Sequence, residues 1–144
     1  MKNLLFEICR GLLILLFAYT ATSKFLDYNL FVFQMMRAPV PIIKSIAPVL
    51  GWLMPTIEAS LVLALLWPKT KIRAMIVSIF LLVVFEIYIL AMVLSGLSLP
   101  CTCGGIISSM SWMQHLIFNG VLILIGIVAL RFQEKKNHYN TLLT

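Results

Sequence analysis

The chain has 144 residues, of which 62% are hydrophobic and 11% charged, with a net charge of +6. A soluble domain averages about 45–50% apolar and about 25% charged residues, so this chain lacks the polar groups to cover a water-exposed surface. Disorder requires low hydrophobicity and is excluded, and three cysteines are too few for a disulfide-rich secreted scaffold. An integral membrane protein remains. Its basic charge then belongs to loops and membrane surfaces, not to nucleic-acid binding.

A helix needs about 20 mostly apolar residues to cross the hydrocarbon core. In chain order, four stretches qualify, at about residues 4–22, 46–67, 74–96 and 112–130. From Ala74 to Leu130 the one formal charge is Glu86. Such continuous runs exclude a membrane β-barrel, whose strands are short and alternate. The first span is expected to stay on the protein: Glu7 and Arg10 fit a signal peptide poorly, and Tyr19 stands where a small residue is needed before Ala21. After it, Asp27 is expected to cap a short helix over residues 28–36, stopped by Pro39 and Pro41 and lying on or dipping into the outer interface. Pro68 ends the second span. Trp52, Trp67 and Trp112 mark interfaces, and Ser111 with Gln114 reads as a capping box opening the last helix. The expected fold is an all-α integral membrane four-helix bundle with a short interfacial helix between helices 1 and 2. It occupies residues 1–132, and residues 133–144 form a short cytoplasmic tail.

Placement of Lys and Arg predicts orientation. With both termini in the cytoplasm, the inner side holds Lys2, Lys69, Lys71, Arg73, Arg131, Lys135 and Lys136, and the outer side Lys24, Arg37 and Lys44. The uncharged segment 97–111 then faces the periplasm of a bacterial inner membrane.

Ionisable groups inside hydrocarbon cost about 2.5–3.5 kcal/mol each on insertion scales, and persist by pairing or by facing a polar interior. At 1.5 Å per residue, Arg10 lies roughly 9 Å and Glu58 roughly 13 Å from the inner side, which predicts a structural ion pair. Glu86 and Asn119 share a depth of roughly 18 Å. They divide evenly between packing and a proton or quinone contact. His115, Asn119 and Gly126, spaced by four and seven, form a polar-and-small stripe that should face the bundle interior.

The segment Leu99-Pro100-Cys101-Thr102-Cys103-Gly104-Gly105 carries two cysteines one residue apart. A disulfide across one residue closes a small strained ring, and strain makes such bonds labile and oxidising. The two glycines leave room for a partner's approach. His115, at the start of the next helix, stabilises a thiolate if the loop folds back. Three readings stay open: exchange chemistry, a passive loop disulfide, and a metal site, for which no second ligand pair is visible. Cys9, in the first span toward the inner side, reads as a buried apolar residue.

Several of these elements together resemble the MauE/DoxX-like membrane proteins, and specifically the short bacterial proteins grouped with methylamine utilisation protein MauE. They are Arg10-Gly11, Ser23-Lys24-Phe25-Leu26-Asp27, the Pro-x-x-Glu opening of the second helix at Pro55-Thr56-Ile57-Glu58, the Cys-x-Cys-Gly element at Cys101 to Gly104, and Trp112, His115 and Asn119. The chain departs from the Cys-Gly-Cys-Phe-Gly form of that element at Gly105. The resemblance implies a four-helix membrane protein tied to periplasmic thiol–disulfide chemistry. MauE is associated with maturation of the disulfide-rich small subunit of methylamine dehydrogenase, and DoxX relatives with quinone-linked oxidoreductases. The leading expectation is a thiol–disulfide oxidoreductase role through Cys101 and Cys103, with His115 assisting. Its partner would be a periplasmic thioredoxin-like protein or a disulfide-containing client. The alternatives are a quinone-linked electron-transfer subunit, with Glu86 and Asn119 at the cofactor, and a non-catalytic assembly subunit.

Overall fold

A computed structural model describes residues 2–38, 40–96 and 112–142. All regular structure among them is helical: α1 (Lys2–Leu26), α2 (Tyr28–Met36), α3 (Pro41–Leu66), α4 (Lys71–Leu94) and α5 (Trp112–Leu142). Four of these are long and apolar enough to cross a bilayer, over Leu4–Leu26, Pro41–Leu66, Lys71–Leu94 and Met113–Gln133. Large apolar side chains point outward on every span, among them Leu15, Leu63, Phe80 and Leu124. In water that arrangement is untenable; in lipid it costs nothing, because the tails are as apolar as leucine. The chain is a multi-pass membrane protein and its environment is the bilayer.

α1 packs against α3 and α5, and α4 against α3 and α5. One end of the bundle is basic, carrying Lys69, Lys71, Arg73 and Arg131. In that half the core is apolar: Phe6, Cys9 and Leu13 of α1 meet Leu65 of α3, Met75 and Ile79 of α4 and Ala129 of α5. Gly126 allows a close approach there, since a Cβ on it would come within 2.8 Å of Ile79 Cδ1. Glu7 ties the same end together, accepting from Arg10 Nη1 at 2.7 Å and from Lys71 Nζ at 2.9 Å.

The other end is built differently. α1 runs past residue 22 to Leu26, and α3 begins at Pro41 rather than near residue 46. Proline suits the first helical turn, where its missing N–H would be unpaired in any case. α2 packs on the first half of α3, burying Val32 and Met35 against Ala47. Gly51 permits the contact: a Cβ there would lie 2.6 Å from Val32 Cγ2 and 2.7 Å from the Tyr28 ring. The Tyr28 hydroxyl donates to the Pro48 carbonyl at 3.1 Å, and the Tyr28 and Phe25 rings lie 5.3 and 5.9 Å from that of Trp52. α2 is thus a roof seated on α3. Asp27 stands at its N-cap without a side-chain cap hydrogen bond. The backbone explains this: Asp27 N–H bonds Ser23 O at 2.9 Å and Phe31 N–H bonds Asp27 O at 3.0 Å, so the ladder of α1 carries almost directly into α2.

Trp52 lies within α3, in contact with the Phe25 and Tyr28 rings. Two sequence expectations shift. Pro55 is likewise interior to α3 and buried, so the Pro-x-x-Glu element sits at mid-helix instead of opening one. α5 continues as helix to Leu142, past the expected limit near residue 130.

Candidate functional site

The buried face of α1 repeats every three or four residues through Phe6, Cys9, Leu13, Phe17, Thr20 and Lys24. That is the period of a helix stripe facing its neighbours. Its last member is a lysine, only 6% exposed. On α3 the buried face runs Gly51, Pro55, Glu58, Leu61 and Leu65, and Glu58 is 0% exposed. The two stripes cross at their polar members, so Lys24 Nζ donates to Glu58 Oε1 in a buried ion pair.

This corrects the expected pairing of Arg10 with Glu58. Arg10 binds Glu7, one helical turn away on its own helix. Depth counted from the ends of hydropathy windows misled, because the window on α1 closes at residue 22 and leaves Lys24 to the outer segment. The three-to-four spacing that carries the stripe on to Lys24 was the usable signal.

Lys24 is further held by aromatic faces. Its ammonium lies 4.8 Å from the Phe85 ring centre and 5.4 Å from that of Phe31. Such cation–π contacts are worth about 0.5–2 kcal/mol, the upper end when water is excluded. Thr20 stands beside the Glu58 carboxyl. Glu58 Oε2 is buried and accepts no hydrogen bond among the described residues. His115, in the first turn of α5, is buried and close enough to feel the Lys24 charge. Asn119 is buried one turn further on and hydrogen-bonds Glu86.

Lys24, Glu58, Thr20, His115 and Asn119 all border one cavity of about 180 Å³ at the α2 end of the bundle. Its other walls are mainly apolar, with Phe31 and Met35 from the α2 roof, Leu50 and Met54 from α3, and Val84 and Phe85 from α4. Val84 is exposed, and Met54 and Phe85 are half-buried. The cavity therefore reaches the bundle surface at Val84 of α4.

The site residues expected from sequence thus separate. The structure brings Asn119 and His115 to the cavity wall together with Glu58, whereas Glu86 does not border it. Arg10 lies at the opposite, basic end. Lys24, which stands at the centre, reads from sequence as an outer basic residue and as part of the family element Ser23–Asp27, without a site role. Cys101, Cys103 and Ser111 lie outside the described residues. Cys9 is a free thiol, buried in the apolar half. No group of three or more His, Cys, Asp or Glu able to hold a metal occurs among the described residues.

Fold and site together define a polytopic helical membrane protein that encloses a charged pair and opens a small cavity to the lipid. Sequence comparison places it within that class. The family model for methylamine utilisation protein MauE matches residues 2–132, and the chain belongs to the MauE family. No curated protein and no solved structure matches it.

Proposed function

We propose that this protein serves thiol–disulfide exchange during the maturation of partner proteins, through Cys101 and Cys103. The supporting observation is positional. The Cys-x-Cys-Gly-Gly segment joins α4 to α5, and the ends of those helices bring Met92 and His115 to the same cavity as the Lys24–Glu58 pair. The two helices that flank the cysteine segment in the chain thus reach the end of the bundle that carries its buried polar chemistry. On this reading residues 1–132 form the membrane domain, both termini are cytoplasmic, and the cysteines face an oxidising periplasm.

The exchange balances without an outside electron carrier. The thiolate of one cysteine attacks a disulfide in the partner, forming a mixed disulfide and releasing one partner thiol. The second cysteine then attacks the mixed disulfide, which leaves this protein oxidised and the partner reduced. The reverse sequence oxidises a partner dithiol. Gly104 and Gly105 leave Cys103 the more approachable sulfur, so it attacks and Cys101 resolves.

Trapping tests this. In cells expressing Cys101→Ser, non-reducing gels should show a higher-mass species that dithiothreitol collapses and that Cys9→Ser leaves unchanged. Absence of that species in both Cys101→Ser and Cys103→Ser, with full complementation by both, refutes the exchange role. The cysteines then merely stiffen a segment of an assembly subunit.

A further inference from the structure

We infer that the cavity beneath α2 is a binding site for the ring of a membrane-soluble phenol, held by Glu58 and Lys24. Size limits the ligand first. A dry cavity of about 150 Å³ accommodates benzene, and this one measures about 180 Å³, enough for one six-membered ring with small substituents. Aromatic and thioether walls from Phe31, Phe85, Met35 and Met54 suit a ring face. Val84, exposed on the membrane-spanning α4, marks where the cavity meets lipid, so the ligand arrives from the bilayer and its apolar tail remains there.

Polarity then selects the ring's substituent. Glu58 is fully buried and borders the cavity, and its Oε2 accepts no hydrogen bond among the described residues. Burying an acceptor unpaired is costly, and more so when it is charged. A hydroxyl on the ring donates to that oxygen, while its own oxygen accepts from Lys24 or the Asn119 amide. An unsubstituted hydrocarbon ring leaves Oε2 as it is, and an oxidised quinone brings acceptors only. The site therefore favours the hydroxyl-bearing form. Two membrane sources share this chemistry: the reduced, hydroquinone form of a lipid quinone, and a simple alkylphenol.

The inference stands apart from the cysteine reading, and the test keeps them apart. The full chain in phosphatidylcholine nanodiscs is titrated calorimetrically with decylhydroquinone, its oxidised quinone, 4-nonylphenol and nonylbenzene. The hydroxyl-bearing probes should bind at least about tenfold more tightly than nonylbenzene and the oxidised quinone, the factor of one hydrogen bond to a charged group. A tenfold preference for decylhydroquinone over 4-nonylphenol identifies the quinol as the source; equal binding identifies the alkylphenol. Removing both charges, in Lys24→Met with Glu58→Leu, spares the fold a lone buried ion and should erase the preference over nonylbenzene. Met54→Trp fills part of the cavity with the ion pair intact and should weaken every probe. The double change Cys101→Ser with Cys103→Ser should leave binding unchanged. Equal binding of nonylbenzene and 4-nonylphenol, tighter binding of the oxidised quinone, or no binding at all overturns the proposal.

Discussion

Lys24 and Glu58 offer the sharpest test of how this bundle is held. Both are out of contact with water, at 6% and 0% exposure. Removing one partner of a buried pair strands the other and costs about 3–5 kcal/mol, whereas replacing both by apolar groups is often close to neutral. The two single changes should also differ. After Glu58→Leu, the Lys24 ammonium keeps the Phe85 and Phe31 ring faces at 4.8 and 5.4 Å, worth about 0.5–2 kcal/mol. After Lys24→Met, Glu58 keeps Thr20 as its one hydrogen-bonding neighbour among the described residues. Lys24→Met should therefore be the more damaging by roughly that 0.5–2 kcal/mol. Denaturant unfolding in mixed micelles, followed by circular dichroism, measures all four members of the cycle. Arg10→Gln serves as a reference, because its partner Glu7 is 42% exposed and such pairs are worth about 0–1 kcal/mol. Additivity of the Lys24 and Glu58 changes within about 0.5 kcal/mol would show that the two side chains do not interact, and the site built on them would fall.

Gly51→Ala should push α2 off α3, since its Cβ would sit 2.6 Å from Val32 Cγ2; overpacking of this kind costs about 1–3 kcal/mol. Hydrogen exchange should then accelerate across residues 28–36, while Gly11→Ala, with nothing within 4 Å of the new Cβ, leaves those rates alone. Orientation is checked by a reporter active only in the periplasm, fused after Ser98 or after Lys136. Signal at the first and none at the second is expected from the basic-residue count, and the reverse would place the cysteines in a reducing compartment.

Sequence alone determined the class of this protein. Four apolar runs of membrane-crossing length in a chain with 11% charged residues admit few other folds, because the cost of exposing that surface to water exceeds anything local chemistry can offset. The short helix at residues 28–36 and the inward face of His115 and Asn119 were legible for the same reason: spacing along one helix decides which side chains share a face. The partner of a buried charge was not legible. Glu58 was recognisable as a residue in need of a partner, but its choice of Lys24 over Arg10 depended on how far α1 extends and which stripe of α3 it meets. Hydropathy fades before the helix ends, since a lysine inside the bundle reads the same as one in water. Only packing distinguishes them. Tertiary structure likewise decided the cavity, which no single helix contains. Its walls come from all five helices, and α2 roofs it because Gly51 has no side chain to hold α2 away.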